Sequence, residues 1–78
     1  MSHMGPDKLV YMANQIGTFF KAQGSEDNAI AGVAEHIKKF WNLQMRKSIY
    51  AHIDRGGEGL KPHVKAAIEK LKQAEAAH

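Results

Sequence analysis

Three histidines on separate segments of the chain are the side chains that first suggest metal chemistry. No two of His36, His52 and His63 are four residues apart, the spacing that places two ligands on one helix face. None belongs to an H-E-x-x-H motif, and the chain has no cysteine for thiolate zinc sites, iron–sulfur ligation or nucleophilic catalysis. The sequence therefore predicts no metal site, and surface or interface roles for these histidines.

A glycine-rich stretch, Gly56-Gly57-Glu58-Gly59, invites comparison with phosphate loops, in which backbone N–H groups surround an anion. The Lys-Ser/Thr ending of such loops is missing and no strand precedes it, so the residues instead predict a helix stop followed by a flexible turn. Asp54 and Glu58 flank this turn and could act as a general acid and base. Nothing in the sequence suggests a pocket around them, so we predict a solvated helix end and no catalytic residue.

Basic residues at 38–39 and 46–47 bracket Phe40 and Trp41. Such a pattern can bind single-stranded nucleic acid, because rings stack on bases while charges hold phosphates. The two aromatic residues also complete an apolar helical stripe, however, so one or both should lie in the core. The net charge of +3 permits an acidic partner without specifying nucleic acid. A small basic nucleic-acid-binding helical domain therefore remains the alternative function.

The elements that must position these side chains are helices, since apolar residues recur at helical spacing. The first helix is predicted from Pro6 to about Gln23, with Gly24 in the left-handed conformation after it. The second begins after Ser25, a good N-cap residue. Its apolar stripe is Ile30, Val33, Ala34, Ile37, Phe40 and Trp41.

Two further helices complete the predicted fold. The third begins at the cap residue Asn42 and ends at Arg55, and the fourth begins at Pro62. No segment alternates apolar and polar residues with period two, so we predict no sheet. The 78 residues are enough for one domain. The sequence therefore predicts an all-α fold, a small bundle of three to four helices.

The ends of the chain differ from its middle in composition. We expect residues 1–5 to be a vector remnant and a disordered start, 6–72 a single helical domain, and 73–78 a frayed tail. No apolar run approaches the roughly 20 residues of a membrane span, and no signal-peptide apolar region is visible.

Several short motifs follow one another along the chain in a combination that is specific, although no single motif is. They are Met12-Ala13-Asn14-Gln15-Ile16, Phe19-Phe20, Ala31-Gly32-Val33-Ala34-Glu35-His36-Ile37, Phe40-Trp41, Met45-Arg46, Ala51-His52, Gly56-Gly57-Glu58-Gly59-Leu60 and Pro62. In order and spacing, from about Asp7 to about Leu71, they resemble the delta subunit of bacterial NAD-dependent formate dehydrogenase.

The chain departs from the family's pattern in two places. The family reads W-D-P-R-M-R, and here Asn42-Leu43-Gln44 replaces the D-P-R of that motif. Loss of the proline leaves the turn after Trp41 less rigidly fixed. Lys61 stands where the family has an aspartate, and lysine cannot accept a capping hydrogen bond. Neither departure affects catalysis.

The resemblance implies a non-catalytic accessory (delta) subunit of a cytoplasmic, NAD-dependent molybdenum or tungsten formate dehydrogenase. Such a subunit would support assembly, stability or cofactor insertion by binding the catalytic subunits. The molybdenum or tungsten pyranopterin, iron–sulfur clusters, FMN and NAD are expected in those partner subunits, and none in this chain. We expect no membrane partner, and the isolated chain could self-associate.

The docking surface is predicted around the second and third helices. Large contact area, adaptable packing and a planar donor fork make Trp41, Met45 and Arg46 suitable interface anchors. The remaining candidate residues are His52, Gly56, Gly57, Glu58, Gly59 and Leu60. A competing interpretation places Trp41 and Met45 in the core, which would leave Arg46 and the turn for contact.

Overall fold

The computed structural model describes residues 5–76, and these form four α-helices. They are α1 (Pro6–Lys21), α2 (Glu26–Phe40), α3 (Leu43–Asp54) and α4 (Pro62–Ala76). No strand occurs within the described range, which confirms the predicted all-α bundle. Residues 1–4 of the expected vector remnant, and residues 77–78, lie outside the described residues.

Side-chain caps begin the two middle helices. The Ser25 hydroxyl accepts a hydrogen bond from the backbone N–H of Asn28 at 3.2 Å, and the Asn42 amide oxygen accepts one from Met45 at 2.9 Å. Each cap satisfies one of the N–H groups that a helix start leaves without a partner. Both predicted cap residues are thereby confirmed, and Asn42 begins α3 without the proline usual in the family.

The end of α1 differs from the prediction. The prediction that Gly24 is left-handed is wrong, because the described residues with positive φ are Gly56, Gly57 and Gly59. The helix stops at Lys21, and Ala22 follows in a right-handed conformation. The backbone N–H of Gln23 donates to the carbonyl of Phe20 at 3.0 Å, which closes the turn without a left-handed residue.

At the end of α3 the glycines that follow the helix have positive φ, unlike Gly24 after α1. Gly56 and Gly57 have φ values of 113° and 66°, a region that residues with a Cβ atom rarely occupy. The backbone N–H of Gly57 donates to the carbonyl of His52 at 2.9 Å, which satisfies a carbonyl at the end of the helix. The predicted helix stop in this stretch is confirmed, with Arg55 as the C-cap residue.

Helix α2 is central, because it packs against α1 on one side and α4 on the other, while α3 contacts both α1 and α4. The apolar side chains buried between the helices include Leu9, Val33, Ile37, Trp41, Ile49, Val64, Ile68 and Leu71. Helices α1 and α4 pack closely at Gly17, where the missing side chain leaves room for His63 and Val64.

Helix α4 extends into the segment predicted to be a frayed tail. It continues through residues 73–76, and Glu75 forms an ion pair with Arg46 of α3 at 2.8 Å. A second ion pair, of 2.8 Å, joins Lys72 to Asp54. These two contacts hold the last turns of α4 against α3.

Candidate protein-binding surface

The turn at residues 56–61 is held by side chains of the bundle itself. The Asn14 side-chain amide donates to the carbonyl of Gly59 at 2.9 Å, and its oxygen accepts from the backbone N–H of Lys61 at 3.0 Å. The Nε2–H of His52 donates to the carbonyl of Glu58 at 2.7 Å. These contacts give Asn14 and His52 a structural role in fixing the turn.

Replacing Asn14 by alanine should lower the free energy of unfolding by about 1 kcal/mol, since two exposed hydrogen bonds are lost. Asn14→Asp keeps the acceptor for Lys61 but places a carboxylate oxygen against the Gly59 carbonyl. Its free energy of unfolding should therefore be no higher than that of Asn14→Ala. Urea denaturation of both variants measures the effect. Wild-type stability in both would show that this amide does not brace the turn.

Arg46, a predicted docking residue, is occupied by contacts within the chain. Its Nε donates to Glu75 at 2.8 Å and a terminal nitrogen donates to the carbonyl of Trp41 at 2.7 Å. Burial raises the pKa of the neighbouring Tyr50 well above its usual value, Glu75 acts in the same direction, and Arg46 opposes them. Tyr50 therefore stays neutral here, and Arg46 links α3, α4 and the end of α2.

The adjacent residues Phe40 and Trp41 have opposite environments. Trp41 is 5% exposed and belongs to the core, whereas Phe40 is 70% exposed. The cause is the end of α2, because Phe40 is its last residue and Trp41 leaves the helix in an extended conformation. Of the two roles left open for Trp41, the structure therefore shows the core role, and the exposed aromatic residue is its neighbour.

Phe40 is part of a larger exposed apolar surface on α1, α2 and the start of α3. Its most exposed members are Tyr11 at 65%, Phe19 at 58%, Phe40 at 70% and Leu43 at 51%. We call the three exposed rings of Tyr11, Phe19 and Phe40, together with Phe20 and His36 on the same two helices, the aromatic face. Large exposed aromatic side chains that lie together are typical of protein-binding sites rather than of ordinary monomer surface.

Contacts between rings run across the aromatic face from α1 to α2. The ring centroids of Phe19 and Phe20 are 5.1 Å apart in an edge-to-face arrangement, and those of Phe20 and His36 are 6.2 Å apart. The rings of His36 and Phe40 follow at 4.7 Å. Edge and offset ring contacts at such distances are favourable, so the aromatic face presents a connected surface.

Two shallow hollows lie along the seam between α1 and α2. The first, of about 450 Å³, is lined by Tyr11, Met12, Gln15, Ile16, His36, Phe40, Trp41 and Met45. The second, of about 340 Å³, is lined by Gln15, Ile16, Phe19, Phe20 and His36. Because they share Gln15, Ile16 and His36, the hollows are neighbours separated by these three side chains.

The structure separates the residues predicted for docking into two places. Met45 and the edge of Trp41 line the first hollow of the seam. His52, Glu58 and Gly59 line a different hollow of about 350 Å³ beside α1, whereas Gly57 of the same turn is buried. The predicted set is therefore not one continuous surface.

The sequence interpretation missed Tyr11, Phe19 and Leu43 as exposed residues. A signal was available, because α1 carries large apolar residues at nearly every position from Leu9 to Met12, more than one helix face can bury. Which of the large apolar residues stay exposed depends on how the helices pack.

Within residues 5–76, no three histidine, aspartate or glutamate side chains come close enough to hold a metal ion. The basic and aromatic residues considered for nucleic-acid binding do not all face solvent, since Trp41 is buried and Arg46 is bound to Glu75. No helix in the described part of the chain is long and apolar enough to cross a membrane.

Comparison with known proteins gives one family. Neither the curated proteins nor the solved structures contain a match to this chain. The model of one protein family, described as the NADH-dependent formate dehydrogenase delta subunit FdsD, matches residues 8–68. That range includes the seam between α1 and α2, all of α3 and the glycine turn. The chain therefore belongs to the family of NADH-dependent formate dehydrogenase delta subunits.

Proposed function

We propose that this chain is a non-catalytic subunit that binds the catalytic subunits of a cytoplasmic formate dehydrogenase through the aromatic face. The observation that carries the proposal is the exposure of Tyr11, Phe19 and Phe40 along the seam between α1 and α2, on a member of a delta-subunit family. Binding of a partner over exposed rings is favourable, because it removes their apolar area from water.

The catalytic chemistry belongs, in this proposal, to the partner subunits. The molybdenum or tungsten pyranopterin, iron–sulfur clusters, FMN and NAD would be bound there, since this chain has no cysteine to ligate a cluster. His52 and His63 are engaged within the bundle, because each bonds a backbone carbonyl. The contribution of the chain is therefore contact area that supports assembly, stability or cofactor insertion.

Tyr11→Ala and Phe40→Ala should each weaken binding to the catalytic subunits about tenfold, because each removes a large exposed ring from the interface. Both variants should melt close to the wild type, since neither ring is buried. Recovery of the catalytic subunits on the tagged chain, titrated with increasing subunit concentration, measures the affinity.

Gln73→Ala is the control, because Gln73 is exposed on α4 and lines neither hollow of the seam. It should leave both binding and melting unchanged. If Tyr11→Ala and Phe40→Ala fold normally and bind the catalytic subunits like the wild type, the aromatic face is not the docking surface.

A further inference from the structure

We infer that the last turn of α4, residues 72–76, opens from α3 and closes on it in response to salt while the rest of the bundle stays folded. We call this segment the strap. The inference goes beyond the proposed function, because the strap follows the range 8–68 that the family model matches and does not involve the aromatic face. Its attachment points, the forces that hold it and one buried hydroxyl group support the inference.

The strap is attached to both ends of one row of side chains on α3. Arg46, Tyr50 and Asp54 are spaced four residues apart, so they follow one another along one face of that helix. Glu75 of the strap is bound to Arg46 at 2.8 Å, and Lys72 is bound to Asp54 at 2.8 Å. Tyr50 lies between the two attachment points in this row.

Ion pairs, rather than buried apolar side chains, hold the strap against α3. Leu71 is the last buried residue in the described part of α4, and each residue of the strap is exposed or partly exposed. Ion pairs near the surface contribute little to stability, and salt screens them. The strap should therefore open at a lower free energy than the preceding turns of α4, whose apolar side chains belong to the core.

The hydroxyl group of Tyr50 opposes the closed state. It is the one buried side-chain oxygen or nitrogen within residues 5–76 that has no hydrogen-bond partner. The carboxylate of Glu75 and the guanidinium of Arg46 are near it but are bound to each other. An unpaired buried hydroxyl costs free energy, because it has lost its hydrogen bonds to water. Opening the strap returns water to this group, so the open state gains what the closed state lacks.

Opening of the strap also changes what Arg46 can bind. In the closed state its Nε donates to Glu75 at 2.8 Å, and a terminal nitrogen donates to the carbonyl of Trp41 at 2.7 Å. In the open state the bond to Trp41 can persist, while the Nε–H becomes available to another carboxylate or anion. The strap thus switches Arg46 between an internal carboxylate and an external one.

Amide hydrogen exchange of the full chain, followed residue by residue by NMR, tests the inference. At low salt the amides of the strap should be protected, but less than those of residues 66–71. Addition of about 1 M NaCl should speed exchange in the strap about fivefold or more, because screening weakens both ion pairs. The amides of residues 66–71 should change much less, since apolar contacts hold those turns.

Two substitutions on α3, outside the strap itself, should change its exchange in opposite directions. Asp54→Asn removes the attachment of Lys72 and should speed exchange in the strap about threefold. Tyr50→Phe removes the unpaired hydroxyl and should slow it about threefold or more. Glu58→Gln and Tyr11→Phe are the matched controls, because both residues are exposed and neither contributes to these ion pairs. Both controls should leave exchange in the strap unchanged.

Three results would overturn the inference. The first is exchange in the strap as slow as that of residues 66–71 at both salt concentrations, which would mean that it does not open separately. The second is an unprotected strap at low salt, which would mean that it does not close. The third is unchanged exchange in both Asp54→Asn and Tyr50→Phe, because the movement would then be the ordinary fraying of a helix end. None of these results depends on the catalytic subunits, so the proposed function is tested separately.

Discussion

Replacing Trp41 by alanine should lower the free energy of unfolding by about 3–5 kcal/mol, the usual cost of removing a large aromatic side chain from a core. The indole is 5% exposed and belongs to the cluster of buried side chains that forms the core. A domain of this length has a total stability of roughly 4–12 kcal/mol. The Trp41→Ala variant should therefore be marginally folded, with a large fall in the urea midpoint followed by circular dichroism.

Phe40→Ala is the matched control for Trp41→Ala, because the two aromatic residues are neighbours in sequence. Phe40 is 70% exposed, so its removal should change stability by less than about 0.5 kcal/mol. The two variants should also differ in binding, since Phe40→Ala weakens recovery of the catalytic subunits while the protein remains folded. Equal losses of stability in both would mean that Trp41 and Phe40 do not have the environments described here.

Gly17→Val should be the second severe change, with a loss of about 2–4 kcal/mol. A Cβ atom at Gly17 would lie 2.9 Å from Nε2 of His63 and would overlap the side chain of Val64. Displacing His63 would also break the bond, 3.0 Å long, that its buried Nε2–H donates to the carbonyl of Gly17. The variant would therefore combine overpacking with an unpaired buried polar group.

A second glycine provides the comparison for Gly17→Val. Gly24 is exposed, has no positive φ, and a Cβ atom there would make an ordinary contact of 3.4 Å with Asn28. Gly24→Val should thus stay within about 0.5 kcal/mol of the wild type. Chemical denaturation of the two variants separates a packing requirement at Gly17 from a general effect of valine, and similar stabilities would refute the close approach of α1 to α4.

The parts of this fold that could be predicted from the sequence are those determined within a few residues. Ser25, Asn42 and Pro62 mark helix starts by local hydrogen bonding and fixed φ, and each occupies the predicted place. Gly24 shows the limit of such rules, because a glycine after a helix can take the left-handed conformation but is not required to. The periodic apolar stripes determined the number of helices for the same local reason.

The exposure of the candidate docking residues could be predicted only in part, because exposure depends on contacts between distant segments. Met45 lines an apolar hollow, whereas Arg46 is bound by Glu75, which is 29 residues away in the chain. The different environments of Phe40 and Trp41 depend on α2 ending at Phe40. A residue's type indicates what it can bind, whereas the packing of the helices decides whether it is available.

The bridge from Asn14 to the turn at 56–61 also has a consequence for the order of folding. Its hydrogen bonds connect Asn14 with Gly59, 45 positions along the chain, and with Lys61, 47 positions along the chain. They therefore form only after α1 has docked on the rest of the chain. Three glycines at positive φ make the turn entropically costly to order by itself. The turn should therefore become ordered late, after the contacts between the helices, and helix docking rather than local chain reversal would limit the rate at which it forms.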